Sequence, residues 1–124
     1  MIALDTNILV YAHRVDAPFH AAARAVVEQL ADGAASWAIP WPCVHEFLAV
    51  VTHARIFKPP TPLETALAHL RALAALPQLT WLAEGEGYLD ELERVTVPAR
   101  TQGGAVHDAR IAALCLQHGV SELW

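Results

Sequence analysis

Apolar Ile2, Ala3 and Leu4 give way at once to polar Asp5, Thr6 and Asn7, and an apolar pattern resumes at Ile8, Leu9 and Tyr11. That order predicts a short buried strand over 2–4, a turn, and a helix. The same alternation recurs along the chain. Asp16-Ala17-Pro18 reads as a helix start, with Ala22, Val26, Val27 and Leu30 at helical spacing through Phe19–Ala31 and Asp32-Gly33 as the stop. Trp37 to Ile39 reads as a second strand ended by Pro40. Pro42 then opens a helix from Cys43 to about His53, with Val44, Phe47, Leu48 and Val51 inward.

After the loop Phe57-Lys58-Pro59-Pro60, the stripe Leu63, Leu67, Leu70 and Ala74 predicts another helix, ended by Pro77. Leu79–Leu82 is the third expected strand. Glu84 to Val95 reads as a surface helix, 98–104 as a loop, and Val106 to His118 as the last helix, with Ile111, Leu114 and Cys115 inward and Gly119 closing it. A fourth strand is expected over 120–124. Short strands alternating with helices predict a single α/β domain with a central parallel sheet flanked by helices.

Composition narrows the class. The 124 residues are 55% hydrophobic and 17% charged, which suits one folded domain with a real core. No apolar run is long enough for a membrane span, and no basic leader with a cleavage site precedes the first strand, so no membrane association is expected. The two cysteines, Cys43 and Cys115, lie far apart in apolar settings and read as buried thiols of a reducing cytoplasm. A net charge of −5 argues against a broad basic surface for nucleic acid. It leaves room for an acidic site that meets phosphate through a metal.

Three of the thirteen acids stand apart from the charged faces. Asp5 ends a buried strand and opens a helix, where open α/β sheets bind ligands. Glu46 is the one acid of the apolar segment PWPCVHEFLAVV, and Asp108 falls beside apolar neighbours in GGAVHDARIAALCL. Carboxylates near a core are costly to ionise alone. A shared divalent cation with oxygen ligands, Mg²⁺ or Mn²⁺, would account for all three. Each also has an ordinary reading: Asp5 as a helix cap, Glu46 paired with Arg55 or Arg110, Asp108 as a first-turn acid or a partner of Arg110.

The segments LDTNILVYAHR (4–14), PWPCVHEFLAVVT (40–52) and VHDARIAALCLQHGVSELW (106–124), in this order and spacing, resemble the PIN-domain ribonucleases of the VapC toxin family. The resemblance covers nearly the whole chain. It implies a metal-dependent endoribonuclease with Asp5, Glu46 and Asp108 as catalytic acids, Asp5 and Asp108 holding the metal, and Thr6 and Asn7 in support. It also implies a fourth acid in a Thr-x-Asp segment after the last strand. The 124 residues stop before such a segment, so either the domain is incomplete at that end or the site has three acids instead of four. Further implied are an RNA substrate, a small cognate antitoxin covering the cleft, and a homodimer. Arg14, Arg100, His107 and Arg110 are the residues placed to meet RNA, with pairing to surplus acids as the alternative for the arginines.

Other chemistries find less support. No H-E-x-x-H or finger spacing exists among the seven histidines, and no Gly-rich phosphate loop or Ser-His-Asp pattern is present. A receiver-type phosphotransfer domain using Asp5 would need a second acid close by and a partnering lysine; the sole lysine is Lys58. A catalytically silent PIN-like binding module remains open at this point. The four tryptophans read as core or interface rather than a base-stacking platform, because Trp37, Trp81 and Trp124 fall in strand-like runs; Trp41 is the one expected at the surface.

Overall fold

Residues Ile2–Ala3 (β1) lie inside a four-stranded sheet, between Trp37–Pro40 (β2) on one side and Glu122–Leu123 (β4) on the other. Leu79–Leu82 (β3) pairs with the outer edge of β2, so the order is β3-β2-β1-β4 with every pairing parallel. The computed structural model describes all 124 residues, Met1–Trp124. Six helices join and flank the strands: α1 (Thr6–His13), α2 (His20–Asp32), α3 (Trp41–Val51), α4 (Leu63–Ala74), α5 (Tyr88–Thr96) and α6 (Ala105–Gln117). This is the α/β architecture expected from the alternation of strands and helices.

The sequence WAIP shows why β2 is central. All four of its residues are buried, as a strand covered on both faces requires. Trp37, Ile39, Leu4, Leu9, Phe47 and Leu82 are the large, fully enclosed side chains of the core. No helix is long and apolar enough to cross a membrane.

Several boundaries differ from the expected ones, each for a local reason. Asp16 does not cap α2, because the Arg14 guanidinium takes both of its carboxylate oxygens at 2.7–2.8 Å. The helix starts instead at His20, after Phe19 turns the chain in the left-handed region (φ 59°). α3 begins at Trp41, two residues early, and ends at Val51. On α4 the buried face is Ala66, Leu70 and Leu73, while Leu63 and Leu67 of the expected stripe are exposed. The small Ala66 faces the core at a position the leucine spacing did not pick out. β4 is shorter than 120–124 because Val120 donates its N–H back to the Cys115 carbonyl and Gly119 to that of Leu116. With Gly119 at φ +70°, these two bonds close α6 in a Schellman motif before the strand can start.

One polar feature lies within the core wall. The His13 ring meets the edge of Phe47 (centroids 5.3 Å apart) and packs 4.8 Å from the His69 ring. Burial lowers both histidine pKa values from the ordinary 6.5, and for His13 the nearby His69 and Arg14 charges add to it. The unfolded chain therefore takes up these protons more readily than the folded one. The stabilisation is complete above the unfolded value and is lost as pH falls through 6.5 towards the folded values. The thermal midpoint is expected to drop on acidification from about pH 7.5 to about pH 5.5. His69→Gln should make that drop smaller; an equal drop in both proteins would exclude the pair as its source.

Candidate functional site

The parallel register brings Ala3 beside Ala38, and the Leu4 N–H bonds to the Ala38 carbonyl at 2.9 Å. The chain thus leaves β1 at the carboxyl edge of the sheet, and Asp5 is the first residue past that pairing. Its backbone is extended (φ −81°, ψ 167°) and α1 begins immediately after it. One carboxylate oxygen, Oδ1, accepts the Thr6 N–H at 2.7 Å and faces the Cys43 thiol at 3.5 Å. The other, Oδ2, makes no hydrogen bond. Asp5 is therefore a helix cap through one oxygen and an unpartnered acceptor through the other.

Thr6 carries the arrangement across to α3. Its hydroxyl is buried and donates to Glu46 Oε2 at 2.7 Å. Glu46 meets no arginine: Arg110 pairs with Glu84, and Arg55 forms no ion pair. Its Oε1 is left without a partner. Asp5, Thr6 and Glu46 so form one chain of contacts between the first strand end and the third helix, with one free oxygen on each acid.

Asp108 does not join them. It is exposed in the first turn of α6 and makes no ion pair with Arg110. No three His, Cys, Asp or Glu side chains lie close enough together to hold a metal ion. Two of the three expected acids are thus joined through Thr6, and Asp108 lies outside that chain of contacts. Its helix nonetheless runs past the site. Cys115, seven residues on and so on the same helix face, has its thiol pKa raised by burial and by the Asp5 charge.

Cys43 responds to the same charges. Burial, reinforced by Asp5 and Glu46, pushes its thiol up to about 12. Both thiols are buried. The donors that remain are carboxylate oxygens, which fit Mg²⁺ or Mn²⁺. Such a cation keeps several waters and takes only one or two protein carboxylates, so the free oxygens of Asp5 and Glu46 would be enough to hold one. These thiols were read in the sequence only as buried residues. Their spacing held the signal, since Cys43 precedes Glu46 by three and Cys115 follows Asp108 by seven, each on the face of its acid.

The remaining candidates scatter. Asn7 is exposed and its side chain makes no hydrogen bond. Arg14 lies nine residues along α1 from Asp5, about 13 Å away at the helical rise. It is held there by Asp16, by the Thr61 hydroxyl at 3.1 Å, and over the Phe57 ring at 4.4 Å. It borders the largest concavity of the molecule, about 470 Å³ lined by His13, Thr61 and Pro59–Pro62, which is not at the acids. Arg110 is held by Glu84 just past β3. Arg100 and His107 are exposed near the start of α6 and form no ion pair. None of the three concavities of the molecule is lined by Asp5, Glu46 or Asp108.

Comparison with known proteins bears on this arrangement. Residues 2–123 match the family described as PIN domain. Ribonuclease VapC48 of Mycobacterium tuberculosis is 30% identical over 120 residues, covering 97% of this chain and 83% of the relative. Ribonuclease VapC43 of the same organism is 32% identical over 123 residues, covering 99% and 84%. Among solved structures, VapBC2 from Rickettsia felis bound to a DNA fragment from its promoter aligns with a TM-score of 0.68 at 19% identity, over 98% of this chain and 86% of that one. Mycobacterium tuberculosis VapC20, described as a toxin cleaving the sarcin-ricin loop, aligns with a TM-score of 0.66 at 12% identity, over 99% and 87%. At those identities the structures establish the fold, and the sequence relatives, together with the match across residues 2–123, establish the rest: the chain belongs to the PIN-domain family of VapC ribonucleases.

Proposed function

We propose that this chain is a metal-dependent endoribonuclease, the toxin of a toxin–antitoxin pair, acting in the cytoplasm on an RNA phosphodiester. The observation that carries the reading is the Asp5–Thr6–Glu46 chain at the carboxyl edge of the sheet, with Asp5 Oδ2 and Glu46 Oε1 both free. Asp5 and Glu46 would hold Mg²⁺ or Mn²⁺, with Asp108 as a further contributor from α6. When bound, the cation would supply positive charge to the scissile phosphoryl group and would make water a better nucleophile near neutral pH.

The chain's own residues then have distinct tasks. Asp5 Oδ1 is fixed by the Thr6 N–H, which orients Oδ2 outward. Thr6 Oγ1 holds Glu46 Oε2, leaving Oε1 to orient the attacking water and take its proton. Asn7, exposed in the first turn of α1, has a free amide for a phosphate oxygen. The free Arg100 and exposed His107 stand on the approach to α6, where they would meet the RNA backbone.

The test is cleavage of a single-stranded RNA mixture with Mg²⁺ or Mn²⁺, with and without EDTA. Thr6→Val, which keeps shape and deletes the bridge to Glu46, is expected to slow cleavage by about 10- to 100-fold. Thr6→Ser should restore most of it. Cleavage that persists in EDTA, or that ignores Thr6→Val, would overturn the proposal.

A small antitoxin and a second copy of this chain are the partners this reading calls for. One fold neighbour, VapC20, is described as a toxin, and a toxin of this kind calls for the former. Apolar side chains left in solvent support both. Leu63 and Leu67 of α4 stand exposed, as do Phe19 and Leu89, and light scattering should show a dimer.

A further inference from the structure

We propose that Trp41 and Trp81 form a nucleobase subsite, on which one unstacked base of the RNA packs while its neighbouring phosphate lies at the carboxylates. This rests on the ribonuclease reading above and adds the residue that would select position along the RNA. Trp41 is the first residue of α3 and leaves β2 at the same sheet edge at which Asp5 leaves β1. The register Ala3↔Ala38 and the Leu4 N–H bond to the Ala38 carbonyl set the ends of β1 and β2 side by side, one strand spacing of about 4.8 Å apart. Trp41 follows directly and precedes Glu46 by five residues on the same helix.

Its geometry is that of a platform. The Trp41 and Trp81 rings are stacked, with centroids 5.1 Å apart and planes 25° from parallel. Trp81 is half-buried in the edge strand β3 and anchors the pair, while Trp41 remains 41% exposed. Pro40 and Pro42 on either side of Trp41 fix the backbone that carries it, so little freedom is lost when a base stacks. Packing alone does not account for an exposed tryptophan here, since Trp37 already fills the centre of the sheet.

Charge favours a base over a phosphate as the group held. The chain carries −5 and only eight lysines and arginines, and Arg14, Arg24, Arg94 and Arg110 are tied up in ion pairs. Stacking on an aromatic face needs no cation and accepts any base in a single strand.

The test uses labelled single-stranded RNA oligomers with one abasic ribose walked along them, titrated onto Asp5→Asn protein so that cleavage does not compete. One abasic position should weaken binding about tenfold or more in that parent and in Trp41→Phe, and should have no further effect in Trp41→Leu. In the cleaving chain, Trp41→Leu should raise KM by a similar factor with kcat kept. RNA should also quench the tryptophan fluorescence of the unmodified chain, a readout that needs no variant. The same abasic profile in the parent and in Trp41→Leu would overturn the subsite, as would RNA parameters untouched by Trp41→Leu when antitoxin binding is lost, which would give the pair to the antitoxin. Abasic-sensitive binding without cleavage by the unmodified chain would instead sink the ribonuclease reading and leave the subsite standing.

Discussion

Asp5→Asn is expected to reduce metal-dependent RNA cleavage by about a hundredfold or more while the fold stays intact. Replacing a group that only supports a metal ligand commonly costs 10- to 100-fold, so removing the charge of the ligand itself should cost at least that. The fold should survive because asparagine caps a helix about as well as aspartate, and its amide oxygen can still accept the Thr6 N–H. The substitution thus separates the two tasks of one side chain. Glu64→Gln, at an exposed acid in the first turn of α4, serves as the control and should leave cleavage unchanged. The measurement is initial cleavage rate with Mg²⁺ and with Mn²⁺, alongside the circular dichroism melt. Cleavage unchanged by Asp5→Asn would remove Asp5 from the catalytic set.

The largest loss of stability is expected at Phe47. It is fully buried and packs against both the His13 and His69 rings, tying α3 to α1 and α4. Phe47→Ala should cost about 3–5 kcal/mol through lost burial and the cavity left behind. That is a large part of the 5–15 kcal/mol that holds a typical domain together. Phe47→Leu keeps most of the volume and should cost far less. Urea unfolding at neutral pH measures both. A Phe47→Ala midpoint within error of the parent would mean that the helices close over the gap.

The elements that were legible in the sequence are those whose signals are local. β3 was found at Leu79–Leu82, and the buried face of α6 at Ile111, Leu114 and Cys115, because period and flanking turn residues alone define them. The start of α2 was misread because Asp16, a good cap by type, is taken by Arg14, a contact no pattern announces. The face of α4 was misread because alanine at position 66 is as consistent with surface as with core until its neighbours are known. At the site, Asp5 was marked by its place after a strand. Its link to Glu46 runs through a Thr6 hydroxyl forty residues away in sequence, which spacing cannot reveal. The exposed position of Asp108 was hidden for the same reason, since its distance from Asp5 depends on how α6 lies across the sheet.

The place of β1 in the sheet has a consequence for how the protein is made. β1 is the first strand to leave the ribosome, yet one of its two neighbours is β4, the last made. The Asp5 N–H bonds to the Trp124 carbonyl, and the Trp124 N–H to that of Ala3 at 2.9 Å. At the usual pace of translation, on the order of ten seconds separate the two strands. Until then the backbone around Asp5 lacks half of its ladder, and the pairing that closes it spans nearly the whole chain, the slowest kind to form. The backbone at Asp5 is therefore completed only after residues 122–124 have been made.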